Sequence, residues 1–248
     1  MTPDELDRYA RHIVLREFGG GGQARLKASR ALVIGAGGIG SPAIQYLAAA
    51  GIGHLSIVDD DQVELSNLQR QTLFAAADIG RAKAEVAAER AEALNPHVEV
   101  LARRRRIDAG NADALVRGHH VVIDGSDNFA TRLAVADAAH RLRIPLVSAA
   151  VAGFEGQIGL FRGWEADRPC YRCFVGDDPA RAETSCAEAG VLGALAGVMG
   201  SLAALEAIRA CVPFGDDSAG KLLLVDALGL RLRTLALPKD PGCPACAA

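Results

Sequence analysis

The hexapeptide Gly35-Ala36-Gly37-Gly38-Ile39-Gly40 constrains this chain more than any other feature, because it joins an apolar strand pattern at 31–34 to a helix pattern at 39–50. Glycines at a strand-to-helix junction let the backbone turn tightly and approach a phosphate chain. The helix N-terminus then offers free N–H groups and a partial positive charge to the anion. A second strand pattern at 55–58 ends in Asp59-Asp60-Asp61, and Asp59 stands 19 residues after Gly40. An acid at that place accepts hydrogen bonds from ribose hydroxyls. Taken alone, these features favour an NAD-dependent oxidoreductase, but they specify an adenosine-phosphate ligand better than they specify a reaction.

Strand and helix patterns continue to alternate after the loop. Strands are expected at 98–101, 121–123 and 146–147, and helices at 81–94, 112–116 and 130–142. Such alternation predicts a Rossmann-like α/β fold, a mostly parallel sheet flanked by helices. After Ser148 the pattern changes to strands at 154–161, 222–225 and 230–237, which predicts an antiparallel continuation of the sheet. An amphipathic helix is expected over 4–18, with Leu6, Tyr9, Ile13 and Phe18 on its apolar side, ended by a flexible turn at Gly19 to Gly22. The chain of 248 residues reads as one domain. It comprises N-terminal helices over 1–30, a nucleotide-binding core over 31–150 and a partner-binding, metal-bearing part over 151–248.

The net charge of −3 gives no general attraction to nucleic acid or to an anionic membrane. The basic run Arg103 to Arg106 reads as a solvated strand end or a docking patch. The N-terminus lacks an apolar signal core, so a cytoplasmic location is expected. An uncharged stretch at 189–205, rich in Ala and Gly, reads as a buried helix in which Gly193, Gly197 and Gly200 let another helix come close.

Ser66-Asn67-Leu68-Gln69-Arg70-Gln71 puts polar groups and a cation just beyond the ribose acid, where hydride transfer does not need them and a triphosphate does. Lys83 comes next at a helix start, and Asp127-Asn128 lies just past the strand at 121–123. Ligands of open parallel sheets bind at the carboxyl ends of the strands, so Asp127 is expected to face the same crevice. Singly, Lys83 could be a surface lysine and Asp127 a helix cap. Together and in order, they argue for ATP.

The ordered set Arg8-Tyr9-Ala10-Arg11-His12-Ile13-Val14-Leu15, the glycine loop, Ser66 to Gln71, Asp127-Asn128, Gly156-Gln157, Cys170-x-x-Cys173 and Cys243-x-x-Cys246 resembles the MoeB/ThiF family over nearly the whole chain. That family adenylates small ubiquitin-like sulfur carriers of molybdopterin and thiazole biosynthesis. The resemblance implies ATP and Mg²⁺ as cofactors, with Asp127 as the acidic metal-binding and catalytic residue. Arg70 and Lys83 would neutralise the phosphates, Gly38 would lie against the nucleotide and Asp59 would hold the ribose. Ser66, Asn67, Leu68, Gln69 and Asn128 would be further nucleotide contacts. It also implies a homodimer in which Arg11 reaches the partner subunit's triphosphate. The chain ends two residues after Cys246, which predicts that a separate sulfurtransferase or cysteine desulfurase donates the sulfur. A carrier-binding homologue without catalysis would lack phosphate-site residues, and Arg11, Arg70, Lys83 and Asp127 are all present.

Of the six cysteines, four form two Cys-x-x-Cys pairs. Zn²⁺ takes four thiolates tetrahedrally and leaves no open position, so a structural zinc tying the C-terminus to a mid-chain loop is expected. Cys211 falls in an apolar helix pattern and reads as core. Cys186 falls in a long polar loop. By the resemblance, a cysteine there bonds covalently to the carrier in some members and is dispensable in others. Metal analysis of the purified protein is expected to find about one zinc per chain, and replacing Cys173 by Ser is expected to lower that content.

Overall fold

The computed structural model describes residues 1–176 and 190–247. Eight strands form one sheet in the order β3-β2-β1-β4-β5-β6-β7-β8. They are β1 Arg30–Ile34, β2 His54–Val58, β3 Glu99–Arg103, β4 Val121–Asp124, β5 Leu146–Ala152, β6 Glu155–Phe161, β7 Lys221–Asp226 and β8 Arg231–Ala236. The pairs among β1 to β5 are parallel, and β5–β6, β6–β7 and β7–β8 are antiparallel. The expected parallel sheet with an antiparallel continuation is therefore what forms.

Period-two burial divides the core between the two sheet faces. Ala31, Val33, Leu55, Ile57, Val121 and Ile123 face one way. There they meet helices α4 (Gly40–Ala50), α5 (Lys83–Leu94) and α9 (Gly193–Cys211). Leu32, Ile34, Val58, Val122 and Leu146 face the other way, towards α6 (Ala112–Val116), α7 (Phe129–Leu142) and α8 (Tyr171–Val175). A parallel sheet covered on both faces by helices needs strands apolar on both sides, as these are.

Two expectations at the N-terminus fail. The helix over 4–18 is two short helices, α1 (Pro3–Arg8) and α2 (Ala10–Ile13), parted at Tyr9. Tyr9 is buried, and its hydroxyl accepts from Asn95 Nδ2 at 2.8 Å. Docking that ring takes precedence over a continuous helix, and Leu6 is left exposed. Gly19 to Gly22 do not break the chain but open helix α3 (Gly19–Lys27). Their poor helix propensity is overridden by tertiary contacts. Gln23, fully buried, donates to the Ala50 carbonyl at 2.8 Å, and Leu26 enters the core.

Helix α9 is long and apolar enough to cross a membrane by length and composition. Here it packs on α4 and the sheet through Leu195, Ala196, Met199, Gly200, Ala203, Ala204 and Ala207. A Cβ on Gly200 would lie 2.2 Å from the Ile39 carbonyl oxygen, and one on Gly193 would lie 2.1 Å from that of Gln69. Those two glycines provide the close approach expected of the segment. Gly197 has open space above it. Cys211, at the end of this helix, packs partly buried against the core, and burial pushes its thiol up to about 11.

A buried acid fixes the N-terminus to the core. Glu5 is 1% exposed, and its carboxylate accepts from Lys27 Nζ at 2.6 and 2.8 Å and from the Thr2 N–H. The Lys27 hydrogen bond, ahead of the Thr2 N–H, holds the Glu5 carboxyl down at about 2. A depressed acid stabilises the fold fully above the unfolded carboxylate range, and that contribution is lost as pH falls towards 2. Glu5→Gln is therefore expected to be less stable at neutral pH and to flatten the acid limb of a Tm-against-pH curve. At the glycine loop, a Cβ on Gly40 would sit 1.8 Å from the Gly35 carbonyl oxygen. Gly40→Ala is expected to cost at least about 1–3 kcal/mol in urea unfolding, the range for overpacking a filled site.

Candidate nucleotide crevice and cysteine knuckle

The chain runs outward from β1 through β2 to β3, then returns to place β4 on the other side of β1. A crevice opens at such a reversal, beyond the carboxyl ends of the strands. Its wall is assembled from the segment after each strand: the glycine loop after β1, Asp59 to Asp61 after β2, Arg105 and Arg106 after β3, and Gly125 to Asn128 after β4. Arg70, Gln71, Lys83, Arg132 and Ala196 complete it. Its volume of about 310 Å³ falls within the range of small-molecule sites.

Gly35 adopts φ +82°, a left-handed conformation that disfavours a side chain. Gly37 faces open crevice, since a Cβ there would meet only Gln71 Nε2, at 3.8 Å. Gly38 packs against the Arg70 stem and Ala196. Helix α4 starts here with no side-chain cap; the Ser41 N–H is taken by the Gly37 carbonyl and Pro42 has none, so the N–H groups left without a partner among the described residues are those of Gly37 to Gly40, just before and at the helix start.

Asp59 binds the glycine loop to the end of β2. Its Oδ2 accepts from the Ala36 N–H at 2.7 Å and its Oδ1 from the Asp61 N–H at 2.8 Å. Burial pushes its pKa up, against the opposing pull of those N–H groups and of Lys83. Lys83 is itself buried, and its Nζ donates to Asp61 Oδ2 at 2.9 Å. It is therefore no surface lysine.

The loop after β4 is held at every residue but one. Asp124, fully buried, accepts through Oδ1 from Ser126 N at 3.0 Å and Ser126 Oγ at 2.7 Å. The Ser126 carbonyl accepts from Arg132 Nη2. Asn128 Oδ1 caps α7 through the Thr131 N–H. The cap is thus Asn128, and Asp127 stands exposed on the crevice wall with no hydrogen bond or ion pair among the described residues. A carboxylate in that position shares the crevice wall with Arg70 and Lys83, and the neighbouring Asp59, Asp60 and Asp61 form a cluster of carboxylates close enough to hold a cation.

Not every residue expected at the site lines this cavity among the described residues. Ser66, Asn67, Leu68 and Gln69 do not line the crevice. Asn67 is buried, and its Oδ1 accepts from the Glu64 N–H, which fixes the short turn that presents Arg70. Arg70 Nη1 donates back to the Ser66 carbonyl at 2.9 Å. Arg11 is exposed on α2, outside the crevice of its own chain. Cys186 lies outside the described residues. Conversely, Gln71, Arg105, Arg106, Ser126 and Arg132 line the crevice although no individual role was expected of them. Gln71 is adjacent to Arg70 in the polar segment. The Arg103 to Arg106 run carried a charge signal that did not distinguish solvent from crevice.

The four cysteines of the two Cys-x-x-Cys pairs converge. Cys170 Sγ lies 3.8 Å from Cys173 Sγ and 3.6 Å from Cys243 Sγ, and Cys173 Sγ lies 3.4 Å from Cys246 Sγ. A tetrahedron with ~2.3 Å zinc–sulfur bonds has edges of ~3.8 Å, so the set fits the metal. Burial pushes the Cys170 thiol up, which a bound cation would reverse. The Asp240 N–H points at Cys173 Sγ from 3.5 Å, an outer-shell donor suited to a thiolate.

Comparison with known proteins agrees over the whole chain. The model of the ThiF family matches residues 9–245. The chain is 47% identical to the sulfur carrier protein adenylyltransferase of Thermus thermophilus, covering 99% of this chain and 92% of that protein. It is 45% identical to the SAMP-activating enzyme E1 of Haloferax volcanii, covering 99% and 90%. A crystal structure of E. coli MccB with ATP superposes with a TM-score of 0.84 at 23% identity, over 97% of this chain and 75% of that one, and shows the shared fold. By sequence and by fold, the chain belongs to the ThiF family.

Proposed function

We propose that this protein uses ATP to adenylate the C-terminal carboxylate of a small ubiquitin-like sulfur carrier. The observation that carries the reading is the crevice itself, in which unpartnered Asp127, buried Lys83 and Arg70 surround the glycine loop. The names of the two bacterial and archaeal relatives, a sulfur carrier adenylyltransferase and an activating E1, support it.

The nucleophile is the carrier's own carboxylate. One of its oxygens attacks the α-phosphorus of ATP, the bond to the β-phosphate bridging oxygen breaks, and pyrophosphate leaves. The protein needs no nucleophilic side chain for this. It contributes position and charge. The glycine loop and the α4 N-terminus hold the phosphate chain, and Asp59 accepts from the ribose while its other lone pairs keep the loop in place. Lys83 turns from Asp61 to the phosphates, and Arg70 neutralises the leaving pyrophosphate. Asp127 would hold Mg²⁺, which supplies further neutralisation of the triphosphate.

Residues 151–248 form the carrier-binding and zinc-bearing part in this reading. The protein acts in the cytoplasm as a homodimer, with Arg11 completing the partner's triphosphate site. Exposed Leu192, Val198 and Leu205 on and beside α9 offer apolar surface for such a pairing. A separate sulfurtransferase or cysteine desulfurase would then attack the adenylate with its persulfide sulfur, releasing AMP, and a second thiol would reduce the resulting acyl persulfide to the thiocarboxylate. The carrier belongs to molybdopterin or thiazole synthesis, and its capture from the native cell distinguishes the two.

ATP–pyrophosphate exchange with a carrier ending in glycine tests the reading. Asp127→Ala and Arg70→Ala are each expected to lower exchange by at least about 100-fold, the usual loss for a group that meets transition-state charge. Full exchange by both variants would refute the assignment.

A further inference from the structure

Four side-chain amides are buried among the described residues, those of Gln23, Asn67, Gln71 and Asn95. Three of them are paired at both ends. Gln23 Nε2 donates to the Ala50 carbonyl at 2.8 Å, and its Oε1 lies 3.0 Å from His12 Nδ1. Asn95 Nδ2 donates to the Ala48 carbonyl and the Tyr9 hydroxyl, and its Oδ1 accepts from the His97 N–H. Asn67 Oδ1 accepts from the Glu64 N–H, and its Nδ2 reaches Ser66 Oγ at 3.5 Å. Gln71 differs. It is 3% exposed, and its amide makes no hydrogen bond among the described residues, with Oε1 enclosed and orphaned.

This amide stands in the crevice wall beside Arg70. Its backbone is fixed, because the Gln71 N–H donates to the Asn67 carbonyl and the Gln71 carbonyl accepts from the Phe74 N–H. Leu73 and Phe74, just after it, enter the core. Gln71 Nε2 is the one atom that a Cβ on Gly37 would meet, and Gly37 opens the run of unpartnered N–H groups that ends at Gly40. An apolar side chain would fill the same space with no orphaned acceptor, so packing alone does not account for an amide here. An anion over Gly37 does account for it, since it would take the Nε2 donor together with the backbone N–H groups. We propose that Gln71 is a further phosphate-contacting residue of this crevice, its Nε2 donating to an oxygen of the ATP phosphate chain held over Gly37. The assignment rests on the reading of the crevice as an ATP site given above, and adds a neutral donor beside the cations Arg70 and Lys83. The orphaned Oε1 lowers the stability of the empty protein, while the donor turned to the crevice strengthens its hold on the ligand.

The test uses Gln71→Met, which nearly keeps length and volume and has no amide. Its ligand-free Tm is expected to match wild type or to exceed it by about 2–4 °C, as an orphaned acceptor is removed. ATP affinity in excess Mg²⁺, measured by titration calorimetry, is expected to fall about 10- to 100-fold, the usual loss of a hydrogen bond to a charged group. Gln71→Glu, which keeps the shape but replaces the donor by negative charge, should lose at least as much. Binding of inorganic tripolyphosphate should weaken by a similar factor in Gln71→Met, and binding of adenosine, which has no phosphate, should not change. A ligand-free Tm of Gln71→Met below wild type would make the amide a structural group and overturn the assignment. So would wild-type ATP affinity in either variant, or a loss for adenosine equal to that for ATP. If Asp127→Ala is inactive in exchange while any of these holds, only the assignment of Gln71 fails. If Asp127→Ala and Arg70→Ala both keep full exchange, the reading beneath it fails.

Discussion

The Asp59 carboxylate is the tie on which the crevice depends. One oxygen holds the Ala36 N–H of the glycine loop, and the other holds the Asp61 N–H beyond β2. The ends of two adjacent strands are thereby locked to each other through a single buried charge. Burying that charge is costly, and the two N–H groups and nearby Lys83 offset the cost. Lys83 in turn is buried only because Asp61 pairs with it. Loop, acid and lysine thus form one electrostatic unit. The tight passage of Gly40 past the Gly35 carbonyl is its steric counterpart. Together they hold a row of free N–H groups open towards the ligand.

Much of this was legible in the residues. The parallel sheet is readable from apolar runs such as 31–34 and 121–123 that alternate with helix patterns, because strands covered on both faces have no polar side to blur the signal. The cysteine set was legible because thiol pairs at that spacing have few other uses in a chain of this kind. What failed depended on contacts distant in sequence. Nothing near Tyr9 announces that Asn95 donates to its hydroxyl. Nothing in four consecutive glycines announces that Gln23 and Leu26 will anchor a helix around them. The site divided in the same way. Asp59, Lys83 and Asp127 sit at strand or helix ends, where position is readable. Arg132 lies inside a helix, and only the fold turns it towards Ser126. The Ser66 to Gln69 segment forms the turn that aims Arg70, a local geometry its polar composition did not reveal.

The cysteine knuckle does for the second half of the chain what the glycine loop does for the first. Residues 170–173 and 243–246 are brought together although the chain between them supplies helix α9 and strands β7 and β8. A metal closing that span would remove loop entropy from the unfolded chain. The Arg172 clamp on Asp137 separately fixes α8 against α7, on the side of the sheet next to the crevice loop.

Among the described residues, strand β8 ends the sheet with all six residues exposed and no neighbouring strand on its outer side. An open row of backbone donors and acceptors is a template on which identical molecules can stack into fibres. Arg231 and Arg233 stand at alternate positions along it, Arg231 paired with Asp226 at 3.1 Å, so two such edges brought together would bring charged side chains, not apolar ones, into contact. Leu232 and Leu235 between and beyond them would otherwise favour that stacking. The arginines therefore act as gatekeepers. They let the sheet remain unfinished at one side without making the protein its own aggregation partner.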